Sequence, residues 1–163
     1  EAIAPGAVIP FDGDEIELAW SAEWPRTPAI EGSVLRGGGP IEGFERRILR
    51  WLKATALERL SADTAECAMR ANVAVQSVGV GDAVTRWGSC SSSGAIRYNW
   101  RLILAPPRVR HWVVAHEVAH RVHMNHGPEF KSLESRLFDG DVAAARSELR
   151  RIGPRLKGIG RRV

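Results

Sequence analysis

His116-Glu117-Val118-Ala119-His120, followed by His126, is the stretch on which the reading of this chain turns. Pro106-Pro107 closes whatever precedes it, and proline suits a first helical turn. The spacing then predicts a helix over His111 to Asn125. Val109, Trp112, Val113, Ala119 and Val122 recur at roughly helical intervals and give it an apolar, buried face. His116 and His120 are four residues apart, so their imidazoles sit one turn above another, where two nitrogens can meet one ion. Glu117 is offset from that pair. It is placed to take a proton from a water on the metal rather than to ligate. This is the zinc-hydrolase logic of His-Glu-x-x-His.

A catalytic zinc takes three protein ligands and keeps one position open. His123 follows His116 by about 10.5 Å along a continuous helix, too far to share the ion. His126 is the better third ligand. Asn125 can end the helix, Gly127-Pro128 forbids its continuation, and a turn would swing His126 back under the metal. The interval is that of the metzincins, whose turn carries glycine where this chain has His123. Glu148 is the runner-up third ligand, and Glu134 follows too closely for that role. Glu134 or Asp139 is instead a candidate to orient a ligand histidine through a hydrogen bond. The competing reading is a chance motif on a solvated helix. Against it, polar residues in the middle of an apolar helix are costly without a purpose.

Working outward, Val73 to Val80, Ala83 to Ser89 and Ala95 to Leu104 read as three strands, separated by Gly81-Asp82 and by Ser91 to Gly94. In the third, Ile96, Tyr98, Trp100, Leu102 and Leu104 alternate with Arg97, Asn99, Arg101 and Ile103. One face can pack on the metal helix, and the hairpin can offer its backbone to an extended peptide. Arg86, Arg97 and Arg101 are candidates for phosphate contacts, with salt bridges to neighbouring acids as the plainer alternative. Upstream, Ile41 to Leu60 is helical. Ser61-Ala62-Asp63 is expected to break it and cap a second helix through Met69, ended by Asn72. Ala7 to Phe11 and Glu15 to Trp20 form a hairpin across Asp12-Gly13-Asp14. Ser33 to Arg36 is a short strand, and the glycines 37–39 lack the lysine-serine ending of a phosphate loop. Downstream, Glu129 to Phe138 and Val142 to Ile152 are helices, the last ended by Gly153-Pro154.

The 163 residues, 44% hydrophobic and 26% charged, suit one folded domain with a real core. No apolar run is long enough to span a membrane. No signal peptide is visible, and the chain begins at Glu1 rather than Met, which leaves room for an upstream segment. Cys67 and Cys90 do not make a disulfide framework, so the cytoplasm is the expected compartment. Cys90 reads as a small core residue, with a redox or ligand role as the alternative. The net charge of +4 is unevenly spread, with Arg146, Arg150, Arg151, Arg155, Lys157, Arg161 and Arg162 crowding the C-terminus. Such a tail can bind nucleic acid, nucleotide phosphates or an acidic partner, or be only a solvated face.

Arg86-Trp87-Gly88-Ser89-Cys90-Ser91, Asn99-Trp100-Arg101-Leu102, Ala105-Pro106-Pro107, the metal motif and Asn125-His126 together resemble the YgjP-like metal-dependent hydrolases, bacterial relatives of the SprT, Wss and Spartan zinc peptidases. His126-Gly127-Pro128-Glu129-Phe130 is similar to the third-ligand segment of Spartan-type proteins. The resemblance is dense from Arg86 to Phe130 and faint from Phe44 to Val84. Lys131 departs from it, since YgjP-like chains usually carry tryptophan there. The N-terminus also shows less strand-forming sequence than that family usually has. The resemblance implies one Zn2+ per chain on His116, His120 and His126, with Glu117 as base.

The expected fold is α+β and zincin-like: a small, mostly antiparallel sheet packed on an active-site helix and backing helices. Its parts are N-terminal strands (1–40), helices (41–72), a sheet (73–104), the metal helix, turn and next helix (107–138), and a basic C-terminal helix and tail (139–163). The expected function is zinc-dependent hydrolysis of a peptide or protein substrate, with no membrane partner. Tyr98, His111, His123 and Arg86 are candidate oxyanion donors, and Arg86, Tyr98 and His123 candidate substrate-binding residues. The family resemblance also raises nucleoside triphosphate pyrophosphohydrolysis, particularly of UTP. A third possibility is a non-catalytic, zinc-stabilised module that binds nucleic acid, with Cys90 or His123 as a fourth ligand.

Overall fold

The computed structural model describes residues 1–161, so Arg162 of the basic tail lies outside the described residues. Asp12 and Gly13 both take left-handed backbone, with φ of 53° and 87°. That is what a two-residue hairpin loop requires. It joins β1 (Val8–Phe11) to β2 (Asp14–Trp20) in antiparallel register, Phe11 opposite Asp14. β3 (Ala29–Glu31) and β4 (Val34–Gly37) complete a four-stranded sheet in the order β1-β2-β4-β3, with β2 and β4 parallel. β3 was not expected from the sequence. It is three residues long and exposed throughout, so it carries no alternation to detect. The N-terminal region therefore holds more strand than its sequence advertises.

α1 (Phe44–Ala71) runs unbroken for 28 residues. The expected break at residues 61–63 does not occur, because its capping candidate is engaged elsewhere. The Asp63 carboxylate accepts from Arg110 Nε at 3.1 Å. Leu60, Thr64, Cys67 and Ala68 meanwhile keep one buried face going through the region. Asn72, left-handed at φ 56°, ends the helix as expected.

The second sheet is made of β5 (Ser77–Gly81), β6 (Gly88–Cys90) and β7 (Ala95–Asn99). β7 is central, parallel to β5 and antiparallel to β6. The strands are shorter than expected, and β5 and β6 flank β7 instead of forming a hairpin. The third strand stops at Asn99, whose side-chain oxygen accepts from the Arg101 amide at 2.9 Å. Residues Trp100–Leu104 then form a short 3₁₀ helix that is buried on every side, which the alternation of strand faces had disguised. Arg101 is buried too, paired with Asp82 and donating to the Ile159 carbonyl, so it is spent inside the fold rather than offered to phosphate.

Three further helices follow: α2 (Pro107–Ala119), α3 (Pro128–Phe138) and α4 (Val142–Gly158). α4 continues past Gly153-Pro154, where it was expected to end. An internal proline costs about 3 kcal/mol. Burial on both sides of it offsets that: Leu149 and Leu156 enter the core, and a Cβ at Gly153 would lie 3.2 Å from the Trp87 ring. A continuous apolar core runs from Ile3 to Ile159 and joins both sheets to the helices. Among the described residues no helix is long and apolar enough to cross a membrane.

The first hairpin also fixes where α2 begins. The Asp12 amide donates to the Ile103 carbonyl at 2.8 Å. Its carboxylate accepts from the buried Arg110 at 2.9 Å and pairs with Arg59 at 3.1 Å. Gly13 faces the residue before α2 so closely that a Cβ would stand 3.0 Å from Pro106 Cα. Gly13→Ala, strained in φ and crowded, is expected to destabilise the fold by about 1–3 kcal/mol. Denaturant unfolding measures this, and an unchanged midpoint would show that the turn has slack.

Candidate metal centre

α2 stops earlier than its sequence suggests. The amides of His120, Arg121 and Val122 reach back three residues, to the carbonyls of Glu117, Val118 and Ala119, at 3.2, 2.9 and 3.1 Å. This tightening closes the helix at Ala119, with His120 as its cap. Val122, expected on the buried face, is consequently exposed. The chain then reverses without any left-handed residue between positions 120 and 127. The glycine of the metzincin turn is not needed, because the last turn is wound tighter instead. Gly127 is extended and Pro128 opens α3.

The reversal returns His126 to the α2 histidines. Ligand atoms of His116, His120 and His126 all lie within 4.8 Å of one another. The closest pair, Nε2 of His120 and Nε2 of His126, is 2.9 Å apart. Nitrogens about 2.0–2.1 Å from one tetrahedral ion lie about 3.3 Å apart, so that pair is within a few tenths of an ångström of the spacing two ligands take. Two of the rings are held from behind. His116 Nδ1 donates to Glu134 Oε2 at 2.6 Å, and His120 Nδ1 donates to the His123 carbonyl at 3.1 Å. With Nδ1 engaged from behind, Nε2 of each ring is the atom left to face a metal. Burial first, and the neighbouring His116 and His126, hold the His120 pKa below the ordinary histidine value against the opposing bond to the His123 carbonyl. Phe130 packs against all three rings, at centroid distances of 5.0, 4.6 and 4.8 Å. The donor set fits a divalent metal.

Glu134 is buried and also accepts from Trp112 Nε1 at 3.2 Å. Burial works to raise its pKa, but the bond from His116 and that residue's charge outweigh it and keep the carboxyl below its usual value. Glu117, 6% exposed, has the opposite balance. Burial pushes its pKa up to about 7, resisted by the charges of His116 and Arg86 and reinforced by Glu134. It lies against β6, where a Cβ at Gly88 would stand 2.8 Å from its Oε2. Only glycine lets the strand and the carboxylate come this close.

A family model described as YgjP-like, metallopeptidase domain, matches residues 1–152. The chain belongs to this family. The match covers both sheets, the histidine cluster and most of α4, and it includes the N-terminal strands. Membership makes this YgjP-like chain a metallopeptidase-type domain of the hydrolase class, and it implies a divalent metal. Among solved structures the chain is similar to the metallopeptidase zymogen of Methanocaldococcus jannaschii jannalysin. The identity is 19% over 58% of this chain and 95% of that one, with a TM-score of 0.48. No curated protein matches the chain.

The other candidates of this YgjP-like domain separate clearly. Arg86 is exposed near Glu117 and lines a hollow of about 240 Å³ with Trp87, Gly88, Ser89 and Arg97. Tyr98 is only 2% exposed, and its hydroxyl is paired with Thr64 Oγ1 at 2.8 Å. It is a core residue and does not offer that hydroxyl to a substrate. The His123 side chain turns toward Glu129, 3.7 Å away, and its contribution to the centre is its carbonyl. His111 is half-exposed beside Asp63 on α1, away from the cluster. Glu148, the runner-up ligand, pairs with Arg108 and Arg151 instead. Of the two carboxylates considered for orienting a histidine, Glu134 does so. Asp139 caps α3 and bonds no histidine among the described residues. Cys90 sits partly buried in β6 outside the ligand cluster, its thiol pKa raised by burial and by Glu117. Sequence reasoning missed the His123 carbonyl and the closeness of Gly88 to Glu117. Neither leaves a side-chain signal.

Thr64→Val strands the buried Tyr98 hydroxyl without a partner. It is expected to cost about 1–3 kcal/mol in urea unfolding while leaving metal uptake unchanged. Loss of metal with stability intact would return Tyr98 to the centre.

Proposed function

We propose that this YgjP-like domain is a zinc-dependent peptidase in which His116, His120 and His126 hold the metal and Glu117 is the general base. The observation that carries the reading is the pairing of two outward-braced imidazoles with a buried carboxylate beside an open strand edge. Three imidazole ligands favour zinc among divalent ions. Zinc, when bound, supplies Lewis acidity to the scissile carbonyl and brings a water's pKa to about 7. Glu117 takes the proton of the attacking water and returns it to the leaving amine. Among the described residues β6 pairs with β7 on one side only, and its free edge at Gly88–Cys90 can receive an extended peptide as an added strand. Since Gly88 touches Glu117, a peptide paired there would pass the base. Arg86 is the remaining oxyanion candidate, its charge already acting on Glu117. The described residues act as one domain around this centre.

The hollow with Arg86 and Arg97 beside β6 supports a second substrate class, a nucleoside triphosphate such as UTP, cleaved with the same base. Peptide-library and UTP hydrolysis, assayed side by side, separate the two.

Purified protein is expected to hold about one zinc per chain by elemental analysis, and His126→Ala to lose most of it. Glu117→Gln is expected to keep the zinc and lose roughly 10²–10⁴-fold in turnover. A chain that neither contains nor takes up zinc would sink the proposal, and zinc retained with undiminished turnover in Glu117→Gln would remove the base. Glu134→Gln, which weakens the brace on His116, is expected to lower zinc affinity about 10–100-fold in a chelator competition. Unchanged affinity there would mean that the brace is idle.

A further inference from the structure

The C-terminal basic residues are mostly consumed by the fold. Arg155 binds the carboxylates of Glu1 and Glu15 at 3.2 and 3.0 Å, and Arg161 binds Asp82 at 2.7 Å. Lys157 donates to the Val84 carbonyl at 2.7 Å and lies over the Trp87 ring. Arg146 lies over Trp112. A group of basic residues without acidic partners lies nearer the other end of the chain. Arg26, Arg46, Arg47, Arg50 and Lys53 form no ion pair among the described residues.

Four of these five are gathered. Arg26, Arg46, Arg47 and Arg50 line a hollow of about 380 Å³ together with Thr27 and Trp51. That volume is of the size that small-molecule groups occupy, about 300–1,000 Å³. Arg47 is pre-positioned. It donates to the Pro40 carbonyl and lies over two glycines, so closely that a Cβ at Gly43 would stand 2.3 Å from its Nη1. Its Nε is buried with no hydrogen-bond partner among the described residues. The three α1 arginines occupy the first two turns of the helix, near the positive end of its dipole. Cations there raise the cost of the helix, and an anion between them lowers it. Glu42 and Glu45 line the neighbouring hollow with Arg46 and Arg50, and among the described residues neither forms an ion pair with them. Trp51 is half-buried, one side tilted against Phe11 at 5.7 Å, so its ring is anchored while part of it lines the hollow.

We propose that this hollow binds single-stranded nucleic acid, with the arginines on its phosphates and a base against Trp51. Guanidinium forks match phosphate oxygens, and an aromatic wall among them favours an unpaired base over a duplex or an acidic peptide. The hollow shares no lining residue with the histidine cluster. The proposal is therefore independent of the peptidase reading.

The test is fluorescence anisotropy with a labelled oligothymidylate of about 12 nucleotides. It uses the full chain carrying Glu117→Gln and a titration in salt. Binding is expected to weaken with salt by roughly 0.7 log units per log unit of salt for each phosphate contacted. Arg46→Ala with Arg50→Ala is expected to weaken binding at least about tenfold and to reduce that slope by about 1.4. Arg26→Ala, on a different segment, is expected to weaken binding as well, which keeps the test alive if the helix variant misfolds. Arg150→Ala with Arg151→Ala on α4 is expected to change nothing. The proposal is overturned by absence of binding at low salt, or by affinity lost in the α4 variant instead. A duplex binding more tightly than the single strand, or polyglutamate competing equally well, would also overturn it.

Discussion

The bond from His116 Nδ1 to Glu134 Oε2 is the constraint from which the centre follows. Glu134 is buried, and a buried carboxylate without a partner would take up a proton or leave the core. His116 and Trp112, both on α2, supply its hydrogen bonds. So α3 must lie across α2 at one position, and the chain between them must reverse in a few residues. That reversal brings His126 to His120 and sets Phe130 beneath all three rings. The centre is thus a by-product of satisfying one acid. It is also why one carboxylate near the histidines stays low in pKa while the other, Glu117, is lifted toward neutrality.

The N-terminal sheet takes part in this geometry from a distance. Asp12 ties the first hairpin to Arg110 and to the Ile103 carbonyl, so the start of α2 is fixed by residues nearly a hundred positions earlier. Arg110 also reaches Asp63 on α1. A helix bound at its first turn by a buried guanidinium, and at its last by tightened backbone bonds, has little freedom to slide. Its histidines inherit that rigidity, and a metal site depends on rigid ligands.

The local parts of this arrangement were legible. The four-residue spacing of His116 and His120 implies one face, and Asp12-Gly13 implies a tight turn because both residues tolerate left-handed backbone. The interval to His126 was readable as well. Where the reading failed, a long-range partner had changed the meaning of a local signal. Asp63 looks like a cap until Arg110 occupies it. The alternation after Asn99 looks like a strand until both sides prove buried. Gly153-Pro154 looks like a stop until Leu156 and Trp87 make continuation worthwhile. The C-terminal arginines looked free because a sequence records charge and not its partner.

The support of His120 by a main-chain carbonyl sets up an asymmetry between the two braced histidines. Glu134 must keep its carboxylate to do its work, so position 134 has almost no freedom. Position 123 supplies the same service through an atom every amino acid possesses. Its side chain is free to drift, provided the residue keeps the amide that bonds Ala119 and so is not proline. Two contacts to one centre thus differ in what they demand of the sequence, one a particular side chain and the other only a backbone.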